Sequence, residues 1–181
     1  MNYLRLAYLY NKAMPSLELD NLMPLEKCAI QPYFSNSMQL GDVIEWVLGQ
    51  TGPAHLLIST FSTSEEFLRR LHRLKNRGRI LSCAMFCDLR AARKTVSLYH
   101  FIKSVFDRVH LCENHSKVVL VTNDRYKVAV VTSQNQTRGN RFESGVITSD
   151  SLTFYNLSLG FDALAQNSLP VDALINRSDH N

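Results

Sequence analysis

The stretch HSKVVLVTNDRYKVAVVTSQN, residues 115–135, organises the whole chain. Two β-branched runs, His115 to Val121 and Tyr126 to Ser133, flank the polar joint Thr122-Asn123-Asp124-Arg125. β-Branched side chains fit a pleated, half-buried surface. The polar joint reads as a hairpin turn, so the runs are expected to pair antiparallel. Side chains alternate across a strand, which puts His115 and Lys117 on one face and Ser116 on the other. The return strand ends in Ser133 and Asn135, again two apart. An imidazole, an ammonium, a hydroxyl and an amide are thereby aimed at one place from two strand ends.

That group suits phosphoryl transfer and calls for neither a metal nor a cofactor. A neutral imidazole can attack phosphorus and form a covalent phosphohistidine. Negative charge then gathers on the equatorial oxygens, where Lys117, Ser133 and Asn135 are donors able to stabilise it. Glu143 is the carboxylate expected to hold the second imidazole nitrogen of His115 and fix its tautomer. The leaving oxygen needs an acid, hence a second histidine. His55, His72, His100 and His110 have no matching partner set and read as structural or exposed. Arg138 and Arg141, between Asn135 and Glu143, flank the expected pocket. Arg90 follows the end of a strand, where α/β folds place ligands. These three arginines are the expected substrate contacts.

Upstream, Leu40, Val43, Ile44, Val47 and Leu48 recur at helical spacing, and Gly49 with Gly52-Pro53 closes the segment. Ala54 to Thr60 is a short apolar strand. Ser62, Thr63 or Ser64 can cap a helix whose apolar stripe is Phe67, Leu68, Leu71 and Leu74. The arginines and lysine interleaved with that stripe, Arg69 to Arg79, read as a solvated face. Arg79 to Cys87 is a strand, Ala91 to Phe106 a helix, and Arg108 to Glu113 a strand. Gly145 to Thr148 is a strand and Ser151 to Ala165 a closing helix. This alternation predicts an α/β layered sandwich, a mixed sheet flanked by helices. Three segments are expected: an N-terminal arm over 1–38 broken by Pro15, Pro24 and Pro32, the domain over 39–166, and a polar tail over 167–181.

Composition sets wider bounds. With 181 residues, 45% hydrophobic and 20% charged, the chain suits one folded domain and excludes a disordered or fibrous protein. The formal net charge of +4 permits a nucleic-acid partner without demanding one. The four cysteines form no CxxC pair, and Cys83 and Cys87 share one face of a strand as small buried hydrophobes. Reduced thiols, no signal-peptide pattern at the N-terminus and no long apolar run point to a cytoplasmic protein away from membranes.

The order His115-Ser116-Lys117, two strands, Thr132-Ser133-Gln134-Asn135 and then Glu143 resembles the active-site signature of the phospholipase D superfamily. That pattern is His-x-Lys, an Asp a few residues on, Gly-Ser-x-Asn, then Glu. The resemblance covers roughly residues 40 to 160. It implies a phospholipase D-like fold, His115 as nucleophile, Lys117, Ser133 and Asn135 as phosphate donors, and Glu143 as partner of the histidine. Thr122 stands where the family has Asp, and Thr132 where it has Gly. Members with one motif copy form homodimers, and this chain has one copy. The resemblance therefore implies a site shared across a two-fold axis, with His115 of the second chain as general acid. The expected function is a metal-independent nuclease. The alternatives are an inactive nucleic-acid-binding module on the same fold and a phospholipid phosphodiesterase or transferase.

Overall fold

The computed structural model describes residue 19 and residues 21–137 and 139–172, with the side chains of 94–96 set aside. Among the described residues eight strands form one sheet: β1 (Ile30–Ser35), β2 (Ala54–Thr60), β3 (Ile80–Asp88), β4 (Arg108–Cys112), β5 (Val118–Thr122), β6 (Lys127–Thr132), β7 (Glu143–Thr148) and β8 (Leu169–Pro170). Their order across the sheet is β1-β7-β6-β5-β2-β3-β4-β8. β2, β3 and β4 run parallel, whereas β5 joins β2 antiparallel and β5, β6, β7 and β1 continue antiparallel. The sheet is mixed, as the alternation of helices and hairpin predicted.

Helices cover both faces. On one lie α1 (Leu40–Thr51), α2 (Glu65–Asn76) and α4 (Tyr99–Val105), preceded by the short α3 (Ala92–Ser97). Their apolar residues, among them Ile44, Leu48, Leu68, Leu71 and Ile102, join Leu56, Ile58, Met85, Val119 and Val130 of the sheet in one core. Each such fully buried side chain contributes about 1.5–3 kcal/mol. The other face is closed by α5 (Ser151–Gln166), whose Phe161 packs with Phe86, Leu120 and Ala129. The caps follow the sequence: Ser64 Oγ accepts from Phe67 N at 3.3 Å, and Asp150 Oδ2 accepts from Thr153 N at 2.7 Å.

The basic run on α2 is largely matched by acids. Arg69 pairs with Glu65, Arg70 with Asp42 and Glu45, and Lys75 with Asp107 at 2.8 Å. Cys83, Cys87 and Cys112 are buried and form no disulfide among the described residues, as expected of small core residues, and burial pushes the Cys83 thiol far up.

Four expectations need correction. Ile30–Ser35, expected within an arm, is a strand of the sheet, pairing from Ile30 with Thr148 to Ser35 with Glu143. Pro32 is tolerated there because β1 is an edge strand, where one missing N–H breaks no central ladder. Leu169 and Pro170, expected within a polar tail, pair with Leu111 and His110, and Val171 is buried. The helix expected over Ala91 to Phe106 is divided, because Leu98 leaves helical geometry at φ −101°, ψ 10°. Finally, β7 starts at Glu143 instead of Gly145, since Ser35 and Phe34 of β1 pair with Glu143 and Ser144.

Candidate active site

β2, β3 and β6 end, and β5 and β7 begin, at one edge of the sheet, where His115, Lys117, Ser133 and Glu143 lie. His115, Ser116 and Lys117 were expected inside a strand. They form instead the loop entering β5, which starts at Val118. The hydrogen-bond ladder reaches one step further, with Thr132 N donating to Lys117 O at 3.0 Å. Beyond that, Ser116 N turns away and donates to Asn114 Oδ1 at 2.9 Å.

Asn114 bolts this loop to the sheet. It is 6% exposed, and its amide donates to Ser59 Oγ at 2.9 Å, Phe86 O at 3.2 Å and Thr60 O at 3.3 Å. Those groups end two neighbouring parallel strands. Ser116 Oγ donates to Asn114 Oδ1 at 2.6 Å and is also hydrogen-bonded to Ser59 Oγ. Asn114 N donates to Asp88 Oδ2 at 3.0 Å. A buried polar group left without partners costs about 1–3 kcal/mol, so a network this complete holds its backbone firmly.

On this support Lys117 folds back on His115. Its Nζ donates to His115 O at 2.7 Å and lies 3.3 and 3.4 Å from the ring nitrogens. Desolvation draws the Lys117 amine below its ordinary value, and the carboxylates of Glu143 and Asp88 pull it partly back. Phe61, which follows β2, meets the imidazole edge-on with centroids 5.5 Å apart.

Glu143 has a different partner from the one expected. Ser133 Oγ donates to Glu143 Oε2, and Ser144 N donates to Ser133 Oγ at 3.0 Å. Ser133, Glu143 and Lys117 therefore share one neighbourhood, with the carboxylate bound to the hydroxyl. Asn135 faces elsewhere: it lines a cleft between the starts of α1 and α2, with Gln39, Asp42, Ser64 and Arg70. Its Oδ1 is buried without a hydrogen-bond partner. The cleft containing His115 is lined by Asp88, Leu89, Arg90, Glu113 and Asn114. Arg90 thus adjoins His115, Arg141 is exposed in the loop before β7, and Arg138 lies outside the described residues.

The two departures from the family pattern have local explanations. Thr122 pairs with Lys127 and His55 at the turn end of β5. It lies four residue steps from Val118, roughly 13 Å at the usual rise, so it does not touch the site. Thr132 Oγ1 receives the Tyr33 hydroxyl at 2.9 Å and donates to Ser144 O at 3.0 Å. The Tyr33 ring lies across Gly145, where a Cβ would stand 2.4 Å from Tyr33 Cζ. The glycine needed for close approach is thus on β7.

No protein-family model and no curated protein matches this sequence. Solved structures do match. Nuc from Salmonella typhimurium, a phospholipase D family member, superposes with a TM-score of 0.60 at 18% identity, over 78% of this chain and 96% of Nuc. The chain has the phospholipase D fold. NucT from Helicobacter pylori matches similarly, with a TM-score of 0.59 at 14% identity over 78% of this chain and 99% of NucT. TrmBL2, an archaeal chromatin protein with a novel mode of DNA binding, gives 0.55 at 7% identity over 90% of this chain and 60% of its own. Asp88, Asn114 and Phe61 were not singled out in the sequence. Their signal was position: Asp88 ends a buried apolar strand, Phe61 follows another, and Asn114 directly precedes His115.

Proposed function

We propose that this chain is a metal-independent phosphodiesterase acting on nucleic acid, with His115 as nucleophile in a site shared between two copies. The observation that carries this reading is the Lys117 ammonium folded against the His115 imidazole on a loop bolted to the sheet by Asn114. A ring nitrogen of His115 attacks phosphorus, a P–N bond forms, and the P–O bond to the leaving alcohol breaks. Lys117 stabilises the charge on the phosphoryl oxygens, joined by Ser133 once its single O–H turns from Glu143 to the phosphate. The leaving oxygen takes a proton from an acid. Among the described residues His115 is the sole histidine lining its cleft, so His115 of a second copy supplies that proton. Water then attacks phosphorus, gives its proton back to that second imidazole, and the P–N bond breaks.

Hydrolysis of bis-p-nitrophenyl phosphate and of plasmid DNA in excess EDTA tests this, comparing wild type with His115→Ala. Turnover in EDTA that is lost in the variant supports the reading; turnover abolished by the chelator overturns it. A non-catalytic nucleic-acid-binding module is the second reading, favoured by the engagement of Glu143 with Ser133 in place of His115. The likeness to the DNA-binding TrmBL2 is compatible with it. Salt-sensitive binding of DNA with no turnover on any diester distinguishes it.

A further inference from the structure

Arg90 stands beside His115 in an unusual state. Its side chain is 74% exposed, yet it is tied to Asp88, whose side chain is 2% exposed, by Nε to Oδ1 at 3.0 Å. Asp88 also accepts from the backbone N–H groups of Arg90 at 2.8 Å and Asn114 at 3.0 Å. Exposed arginines ordinarily lose considerable rotamer entropy when they are ordered for a ligand. Here a buried carboxylate has already fixed the guanidinium, with its centre 5.5 Å above the Phe61 ring. The pairing also matches the charge. What Arg90 offers the cleft is then chiefly a flat, delocalised surface backed by an aromatic ring.

The other walls agree. Leu89 is 40% exposed and adds apolar surface, and the Glu113 carboxylate lining the same cleft is a hydrogen-bond acceptor. At Arg90 a phosphate would find the guanidinium already paired with Asp88. A planar heterocycle bearing N–H groups would stack on the guanidinium and donate to the carboxylate.

We propose that the cleft formed by Leu89, Arg90 and Glu113 is a nucleobase-binding subsite beside the phosphodiester held at His115. The substrate class is then nucleic acid with an unstacked base next to the scissile bond, that is, a single strand. The placement of this base relative to the cleaved bond rests on the reading of His115 as nucleophile. Base binding itself does not require turnover.

The test is fluorescence anisotropy with a single-stranded oligodeoxyadenylate and an abasic oligomer of the same length, on wild type, Arg90→Ala and Arg90→Lys. Wild type is expected to bind the base-bearing oligomer about ten-fold more tightly. Both variants should lose that preference, because lysine keeps the charge and not the plane. The preference should be unchanged by added salt, since stacking releases no counterions. Arg90→Lys, which leaves Asp88 a cationic partner, guards against a folding defect in Arg90→Ala. Equal binding of the two oligomers by wild type, or a preference that survives in both variants, overturns the subsite. Base-dependent binding without hydrolysis in EDTA upholds the subsite and defeats the phosphodiesterase reading. Hydrolysis without base-dependent binding does the reverse.

Discussion

Glu143 accepts its hydrogen bond from Ser133, across the gap between the end of β6 and the start of β7, and not from His115. The carboxylate is therefore joined to the group that would donate to phosphate, and its charge acts on Lys117. Glu143→Gln removes a charge that raises the Lys117 value, so the amine falls further below its ordinary value. If Lys117 acts as a cation, the alkaline limb of the kcat profile moves to lower pH. A pH–rate series on bis-p-nitrophenyl phosphate checks this, and an unmoved alkaline limb contradicts the coupling.

Lys117→Ala removes the ammonium that lies 3.3 Å from the His115 ring. Loss of one charge-stabilising donor costs about 10²–10³ in kcat. Lys117→Arg should recover only part of this, because the guanidinium is wider and cannot donate from one point to both the ring and the carbonyl. Steady-state kinetics on the two variants gives the comparison.

Asn114→Ala strips the donor from Ser59, Thr60 and Phe86 and the acceptor from Ser116 N. A stability loss of about 1–3 kcal/mol is expected, read from the denaturant midpoint. Asn114→Asp should be worse, since it buries a carboxylate against the carbonyl oxygens of Thr60 and Phe86.

Asp88 links stability to pH. Burial pushes its carboxyl up, but hydrogen bonds from the Arg90 side chain and from the N–H groups of Asn114 and Arg90 outweigh that, so it lies below the ordinary value. A depressed carboxyl contributes stability that is present above the unfolded value, about 3.9, and is lost as pH falls through the folded one. Acid unfolding followed by circular dichroism should show a steeper loss below that range in wild type than in Asp88→Asn.

Gly145→Ala sets a methyl group 2.4 Å from Tyr33 Cζ. The ring is buried and held by Thr132, so it cannot simply swing aside. A destabilisation of about 1–3 kcal/mol is expected. Adding Tyr33→Ala should remove the clash itself, and a double-mutant cycle measures that coupling.

The hairpin from Val118 to Thr132 and the helices at α1 and α2 were legible because periodicity and turn chemistry are local properties. The gathering of His115, Lys117, Ser133 and Glu143 at one sheet edge followed from the same local reading, since a two-strand return brings its ends together. β1 was not legible: Pro32 interrupts it, and its pairing with β7 joins residues that are remote in sequence. The partner of Glu143 and the direction of Asn135 were equally hidden, because side-chain hydrogen bonds between strand ends depend on register and on the loops that carry them.

By itself the sequence determined most of the elements between α1 and α5 and the mixed α/β layering, and it offered His115, Lys117, Ser133 and Glu143 as candidates. Those are consequences of short-range spacing and of residue chemistry. Tertiary structure alone decided that His115 and Lys117 sit on a loop held by Asn114, and that Asp88 fixes Arg90 over Phe61 beside them. Asn114 finds its partners on β2 and β3, and Phe61 follows β2. These segments are far apart along the chain, and they meet only once parallel strands have packed side by side and excluded water from the groups between them.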